Sequence, residues 1–317
     1  MYVTAVSRDS VRRGVGPANW RWTSVGGRYQ TVGLMKESYV HGYELSEAIR
    51  LQDQASTLVD LLHSDTSYPP GSRVLEAGCG VGAQTVTLAG NSPEALITSI
   101  DISEPSLAEA RERASGAGLK NVRFERADIL QLPYKPASYD HVFVCFVLEH
   151  LSQPLEALGA LKAMIAPGGT ITVIEGDHGS AYFHPDSAAA QKAIQCQVEL
   201  QRRAGGNANV GRCLYPLLLQ AGYAEVRVSP RMVYVDSSKP GLVDGFTRKT
   251  FTAMIAGVRG SALSAGLIES ELFDKGIEDL KRTAEDDGTF CYTFFKAFGV
   301  KQQARRDPYV MAIGGTR

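Results

Sequence analysis

The chain has 317 residues, 44% of them hydrophobic and 21% charged, with a formal net charge of −1. This composition excludes a disordered, collagenous or coiled-coil chain, and at roughly 150 residues per domain the length admits two domains or one enlarged one. Near-zero charge also speaks against a dedicated nucleic-acid binder, which needs a basic surface to neutralise phosphates.

The neutral total hides an asymmetry. Residues 1–36 hold six basic side chains (Arg8, Arg12, Arg13, Arg21, Arg28, Lys36) against Asp9 alone, which leaves −6 for the remainder. Three readings of this acid-poor leader stand: a transit-like extension, a disordered tail, or a start site placed too early in the gene, the last being favoured. Residues 1–37 are accordingly expected to be a disordered or non-native leader. Five cysteines (Cys79, Cys145, Cys196, Cys213, Cys291) form no C-x-x-C pair, so neither a disulfide framework nor a zinc knuckle is expected. The longest apolar run, Val142–Leu148, is of strand length, well short of the roughly 18–20 residues of a membrane span. A cytoplasmic, soluble protein with no membrane partner is the expectation.

Leu45, Ile49, Leu58, Leu61 and Leu62 recur at helical spacing, which predicts cap helices within residues 38–72. Strands and helices then alternate. Strands are expected at 73–77, 95–102, 121–127, 139–147 and 170–175, and helices at 83–90, 106–117 and 154–165. Such alternation with short connections implies parallel βαβ units and a sheet covered on both faces. Beyond residue 176 helices are expected at 185–204, 214–221 and 242–284, and strands at 224–235 and 290–298. The late strands suggest a sheet closed by an antiparallel pair, with the helical excursion as a lid.

The chemistry concentrates at Glu76-Ala77-Gly78-Cys79-Gly80-Val81-Gly82, where a buried strand meets a glycine turn and a helix. Glycine serves where the backbone turns sharply and a ligand lies against it. Gly78-x-Gly80-x-x-Ala83 also satisfies the dinucleotide fingerprint, a weak pattern by itself. Three acids decide between ligands. Glu76 precedes the glycines, where it would repel a pyrophosphate and welcome an amino group. Asp101 ends the second strand, the usual place of a ribose-binding carboxylate. Asp128 follows the third strand, placed for an adenine amino group with Ile129 against the ring. Amino acid, ribose and adenine without phosphate describe S-adenosylmethionine; solvated carboxylates are the plain alternative for any one of the three.

On these residues, with Ser99-Ile100-Asp101-Ile102-Ser103, Ala127-Asp128-Ile129, Phe146-Val147-Leu148-Glu149-His150-Leu151 and Pro167-Gly168-Gly169-Thr170, residues 74–175 resemble a class I S-adenosylmethionine-dependent methyltransferase. The flanks Tyr39–Tyr43 and Glu175–Ser180 are similar to a microbial subgroup of small-molecule and natural-product enzymes. The resemblance implies an α/β fold, a doubly wound seven-stranded Rossmann-like sheet with a helical lid insertion. It implies one domain over 38–317: caps at 38–72, cofactor core at 73–176, substrate and lid region at 177–289 with a core strand at 224–235, and a last strand at 290–300. It also implies that Cys145 and Phe146 line the cofactor and that Tyr39–Tyr43 folds over it. The full expected cofactor set is Tyr43, Glu76, Gly78, Cys79, Gly80, Gln84, Asp101, Ile102, Asp128, Ile129, Cys145 and Phe146.

Methyl transfer is an in-line displacement at an already activated carbon, so the protein supplies alignment, desolvation and, where needed, a base. His178 and His184, in a segment expected to be a loop after the fifth strand, are the candidate bases; hydrogen bonding to loop backbone is the alternative for each. Asp177, His178, His184 and Asp186 lack metal-ligand spacing, so no metal is expected. Tyr39, Tyr182, Arg212, Tyr215 and Tyr292 are the substrate-pocket candidates, against the plain alternative of core filling. His150 is read as structural, and Glu47, Arg50 and Gln54 as a solvated helix face. The expected acceptor is an O, N or C atom of a small, partly aromatic or apolar molecule. The fourth strand is not followed by an Asn/Asp-Pro-Pro-Tyr motif, which argues against a DNA base. A homo-oligomer stays open. A nicotinamide-dependent oxidoreductase shares the sheet and glycine spacing but lacks a Tyr-x-x-x-Lys pair; a non-catalytic cofactor-binding protein is the third reading.

Overall fold

The computed structural model describes residues 20–25, 28–33 and 57–303. Two units, Met1–Ser38 and Tyr39–Arg317, divide the chain. In the first, β1 (Trp20–Val25) and β2 (Arg28–Gly33) pair antiparallel, with Val25 opposite Arg28. Tyr39, Tyr43, Glu47, Arg50, Gln54 and most of the expected cap helices lie outside the described residues.

The described part of the second unit begins with a short helix, α1 (Val59–His63), followed by β3 (Arg73–Ala77), α2 (Ala83–Gly90), β4 (Leu96–Asp101), α3 (Glu104–Gly116) and β5 (Val122–Arg126). Next come β6 (Tyr139–Cys145), α4 (Pro154–Met164), β7 (Ile165–His184), α5 (Ala188–Arg203), α6 (Leu214–Gln220) and β8 (Ala224–Val235). The helical excursion holds α7 (Val243–Thr252, π-helical), α8 (Ala253–Gly257), α9 (Arg259–Ser264) and α10 (Ser270–Arg282) before β9 (Thr289–Val300). No helix among the described residues is long and apolar enough to cross a membrane.

The seven strands run in the order β5-β4-β3-β6-β7-β9-β8. β3 to β7 are parallel; β9 is antiparallel to both β7 and β8. This is the doubly wound α/β sheet that the alternation implies, closed by an antiparallel pair. Side chains alternate across it as the pleat requires. Val74, Phe143 and Ile174 face one layer with Leu62, Leu88, Ile194 and Phe246, whereas Leu75, Val142 and Val144 face the other with Leu158, Leu161 and Leu214.

Local chemistry sets the element ends. Ser103 caps α3 by accepting from the Ser106 amide, with proline in the first turn, so the helix starts two residues before the spacing predicts. The region 242–284 is helical as expected, in several pieces, with breaks at Val258 and between Ser264 and Ser270. The expected loop after residue 175 is the larger correction: β7 continues to His184, paired with β9. From Asp177 to Tyr182 β7 takes five steps while β9 takes two, from Thr293 to Cys291. Ser180 closes this bulge: its Oγ accepts from the Thr293 amide at 2.9 Å and donates to the Asp177 carbonyl at 2.7 Å. Extra residues in one strand, with glycine and serine among them, are what a β-bulge accommodates.

Candidate active site

The glycine turn leaves β3 at the centre of the sheet. The amides of Gly78 and Cys79 both donate to the Ile100 carbonyl, at 2.8 and 2.9 Å, which ties the turn to β4. Gly78 has φ +79°, and a Cβ there would lie 2.5 Å from Val147 Cγ2. Gly80 has φ +51°, yet a Cβ there would meet nothing within 4 Å. The two glycines therefore do different things: one admits a neighbouring side chain, the other presents bare backbone to open space.

Asp101, at the end of β4, accepts from the Gly80 amide through Oδ2 at 2.8 Å and from the Ser103 amide through Oδ1 at 2.9 Å. Burial raises its pKa against these bonds. Glu76 is 2% exposed, and its Oε2 accepts from Thr85 Oγ1 at 2.7 Å and Ser99 Oγ at 2.5 Å. Burial, opposed by these two hydrogen bonds and helped by the Asp101 charge, pushes Glu76 up to about 7. Burial also pushes the Cys79 and Cys145 thiols up. Asp128 caps a short turn by accepting from the Leu130 amide at 2.8 Å, with half-buried Ile129 next to it and Ile102 exposed beyond Asp101.

Phe146 stands just past β6 with φ +57°, a left-handed conformation that a bulky residue rarely adopts. Its amide donates to the Ile174 carbonyl at 2.9 Å, and its ring meets Phe294 at 5.6 Å. Gln84 Oε1 accepts from His63 Nε2 at 2.7 Å, so its side chain is engaged by α1. Burial lowers His63 to about 4, which keeps the imidazole neutral and makes Nε2–H the donor to Gln84.

The remaining candidates separate. His178 is buried in the β7 bulge, with Nδ1 2.7 Å from Tyr292 Oη and Nε2 3.7 Å from Glu149 Oε2. Tyr292 is 2% exposed beneath Phe246 and Phe251 of α7. His184 is exposed at the outer end of β7. Strand alternation, with Ala181 inward, turns Tyr182 outward to 69% exposure, and Tyr215 stands 51% exposed on α6. Arg212 grips buried Asp177 through two hydrogen bonds, Nε to Oδ2 at 2.9 Å and Nη2 to Oδ1 at 2.7 Å. The structure thus groups the glycine turn, Glu76, Asp101 and Cys145 on one side, His178 and Tyr292 on the other, and leaves His184, Tyr182 and Tyr215 on the surface. Among the described residues no cluster of His, Cys, Asp and Glu has a metal-holding arrangement.

Sequence reasoning overlooked Glu149 as a partner of His178, and also Glu175. Glu175 is fully buried; its Oε1 accepts from the Val147 and Leu148 amides at 3.0 and 2.7 Å. Burial first, and the Glu149 carboxylate second, raise its pKa well above the usual range. An acid closing an otherwise apolar strand was the available signal.

A family model described as a methyltransferase domain matches residues 69–216. The chain is 31% identical over 223 residues to an uncharacterized 37.1 kDa transposon protein of Streptomyces fradiae, covering 69% of this chain and 61% of that one. It is 31% identical over 141 residues to the 27-O-demethylrifamycin SV methyltransferase of Amycolatopsis mediterranei, covering 44% of this chain and 52% of that enzyme. The chain therefore spans between half and two thirds of these relatives. Residues 69–216 are a class I methyltransferase domain. A solved phosphoethanolamine N-methyltransferase 2 from Haemonchus contortus, in complex with S-adenosylhomocysteine, shares the fold at TM-score 0.55 and 14% identity, over 87% of this chain and 63% of that one. The methyltransferase domain so defined contains the glycine turn, all three strand-end acids, Phe146, Glu149 and His178; Tyr292 lies beyond it.

Proposed function

We propose that the chain is an S-adenosylmethionine-dependent methyltransferase acting on an O, N or C atom of a small, partly apolar acceptor. One observation carries this: the open backbone at Gly80 donates its amide to half-buried Asp101, and a second carboxylate, buried Glu76, stands near enough to feel the Asp101 charge. Such a turn repels a pyrophosphate and attracts an ammonium or sulfonium cation. The residues fit the cofactor. Asp101 retains a lone pair for ribose hydroxyls beyond its backbone bonds, Asp128 and Ile129 stand at the next strand end for adenine, and Cys145 and Phe146 close the far side.

When bound, S-adenosylmethionine supplies an electrophilic methyl carbon. The protein's own residues hold the ribose, exclude water through the aromatic group Phe146, Phe246, Phe294 and Tyr292, and align the acceptor. The demethylrifamycin methyltransferase relative and the buried aromatic cluster here support a small organic acceptor.

Calorimetry tests the cofactor class. S-adenosylhomocysteine is expected to bind and NADH not to; NADH binding without S-adenosylhomocysteine would sink the proposal. Asp101→Ala is expected to weaken S-adenosylhomocysteine binding on the order of 10–100-fold, the worth of about 1.5–3 kcal/mol for charge-assisted hydrogen bonds. An unchanged dissociation constant would show that Asp101 does not hold the ribose.

A further inference from the structure

The buried chain Glu149–His178–Tyr292 is unusual for a fold whose chemistry needs no dedicated acid. Its geometry is directional. Tyr292 Oη lies 2.7 Å from His178 Nδ1, and the Asp177 backbone amide also faces that oxygen. Gly176 makes the room: a Cβ there would fall 2.5 Å from Tyr292 Oη. Behind the imidazole, Glu149 Oε2 stands 3.7 Å from Nε2 and also accepts from Gln201 Nε2 at 3.2 Å. The bulge that turns His178 inward is fixed by its own amide, which donates to the Ala208 carbonyl at 3.0 Å.

The apolar side of the same tyrosine leads back to the cofactor end of the sheet. Ring centroids run from Tyr292 to Phe294 at 4.7 Å and from Phe294 to Phe146 at 5.6 Å. Phe246, from π-helical α7, covers this row at 5.8–5.9 Å. π-helical turns are rare and recur at functional sites; lifting this one would open the row to an acceptor.

We propose that Tyr292, His178 and Glu149 form a proton relay for an acceptor whose nucleophile is a hydroxyl on an aromatic molecule. This rests on the methyl-transfer reading above. As the acceptor oxygen forms its bond to the methyl carbon and the carbon–sulfur bond breaks to a neutral thioether, the acceptor's hydroxyl proton passes to Tyr292 Oη. The Tyr292 proton passes to His178 Nδ1, and the resulting imidazolium faces the Glu149 carboxylate. Tyr292 is the group that touches the acceptor; His178 and Glu149 are positioning residues that act through it. Other charged groups stand near this chain: Asp177 and Glu175 on the same strand as His178, His150 beside Glu149, and Arg212 bound to Asp177.

The test uses the full chain, S-adenosyl-L-methionine, and a series of para-substituted phenols from phenol to 4-nitrophenol, with benzylamine alongside. Tyr292→Phe and His178→Gln are expected to cut turnover of phenol by on the order of 100-fold or more, the usual worth of general-base help. The same variants should spare 4-nitrophenol, which ionises unaided near neutral pH. Glu149→Gln should move the acid limb of the phenol pH–rate profile to lower pH, because the imidazolium loses its neighbouring carboxylate. An equal loss across the phenols, an unmoved acid limb, or a wild-type chain that methylates benzylamine and no phenol would overturn the relay. S-adenosylhomocysteine calorimetry separates the two levels: a wild-type chain that does not bind it overturns the methyl-transfer reading itself. Variants that bind it normally with a flat acidity dependence overturn the relay alone.

Discussion

Gly78 and Gly80 are two residues apart and both have positive φ, but their surroundings assign them different costs. An alanine at 78 meets Val147 at 2.5 Å in addition to backbone strain, whereas an alanine at 80 meets only the strain. Left-handed backbone costs an L-residue about 1–2 kcal/mol, and forced overpacking adds about 1–3 kcal/mol. Gly78→Ala is therefore expected to lower stability by roughly 2–5 kcal/mol in denaturant titrations, on the sum of these terms. Gly80→Ala should lose about 1–2 kcal/mol from strain alone while losing S-adenosylhomocysteine affinity, since its methyl stands where the ligand would approach the backbone. Equal affinities for Gly80→Ala and wild type would remove the ligand from that face.

At the scale of elements, α1 has five residues, too few to persist without tertiary support. Long-range contacts hold it, among them His63 to Gln84 of α2, and buried Lys296 of β9, whose Nζ donates to the Leu62 carbonyl at 3.1 Å and to Asp65 Oδ1 at 2.5 Å. Lys296→Met strips the Leu62 carbonyl of its donor, a loss of about 1–3 kcal/mol for a buried acceptor left unpaired. Hydrogen exchange should quicken at residues 57–66 while β3 to β6 stay protected; uniform quickening would mean that Lys296 supports the sheet instead. Nothing in the run Phe294-Phe295-Lys296-Ala297-Phe298 reveals that partner, because it lies 231 positions away. The same holds for His178 and Tyr292, separated by 114 positions. Strand β8 is where 224–235 was expected, because alternation is a local signal. The extension of β7 was hidden by Gly179 and Ser180, which read as loop until β9 pairs with the residues beyond them. Asp101 and the glycine turn were legible because ligand contact and chain reversal are imposed within a few residues of each other.

For the molecule as a whole, two buried groups tilt stability in opposite directions with pH. Glu76 is raised from 4.5 to about 7, so its contribution is complete below pH 4.5 and is lost as pH rises through 7. His63 is lowered from 6.5 to about 4, so its contribution is complete above pH 6.5 and is lost as pH falls through 4. Each amounts to about 3 kcal/mol by linkage, and over the shared window they oppose one another. Thermal unfolding of Glu76→Gln should gain stability from pH 4.5 to 6.5 relative to wild type, and His63→Gln should lose it; parallel profiles for all three chains would refute both assignments. The long β7–β9 pair has a consequence on this scale too. Its inner half belongs to the cofactor sheet and its outer half, past the bulge, lies under the helical lid. On the proposed function, an acceptor would therefore meet a floor shared with the cofactor sheet and a roof of its own. If that reading holds, exchange of residues 240–264 between related enzymes would change the roof over an acceptor while leaving the floor, and with it the aim of the methyl group, unaltered.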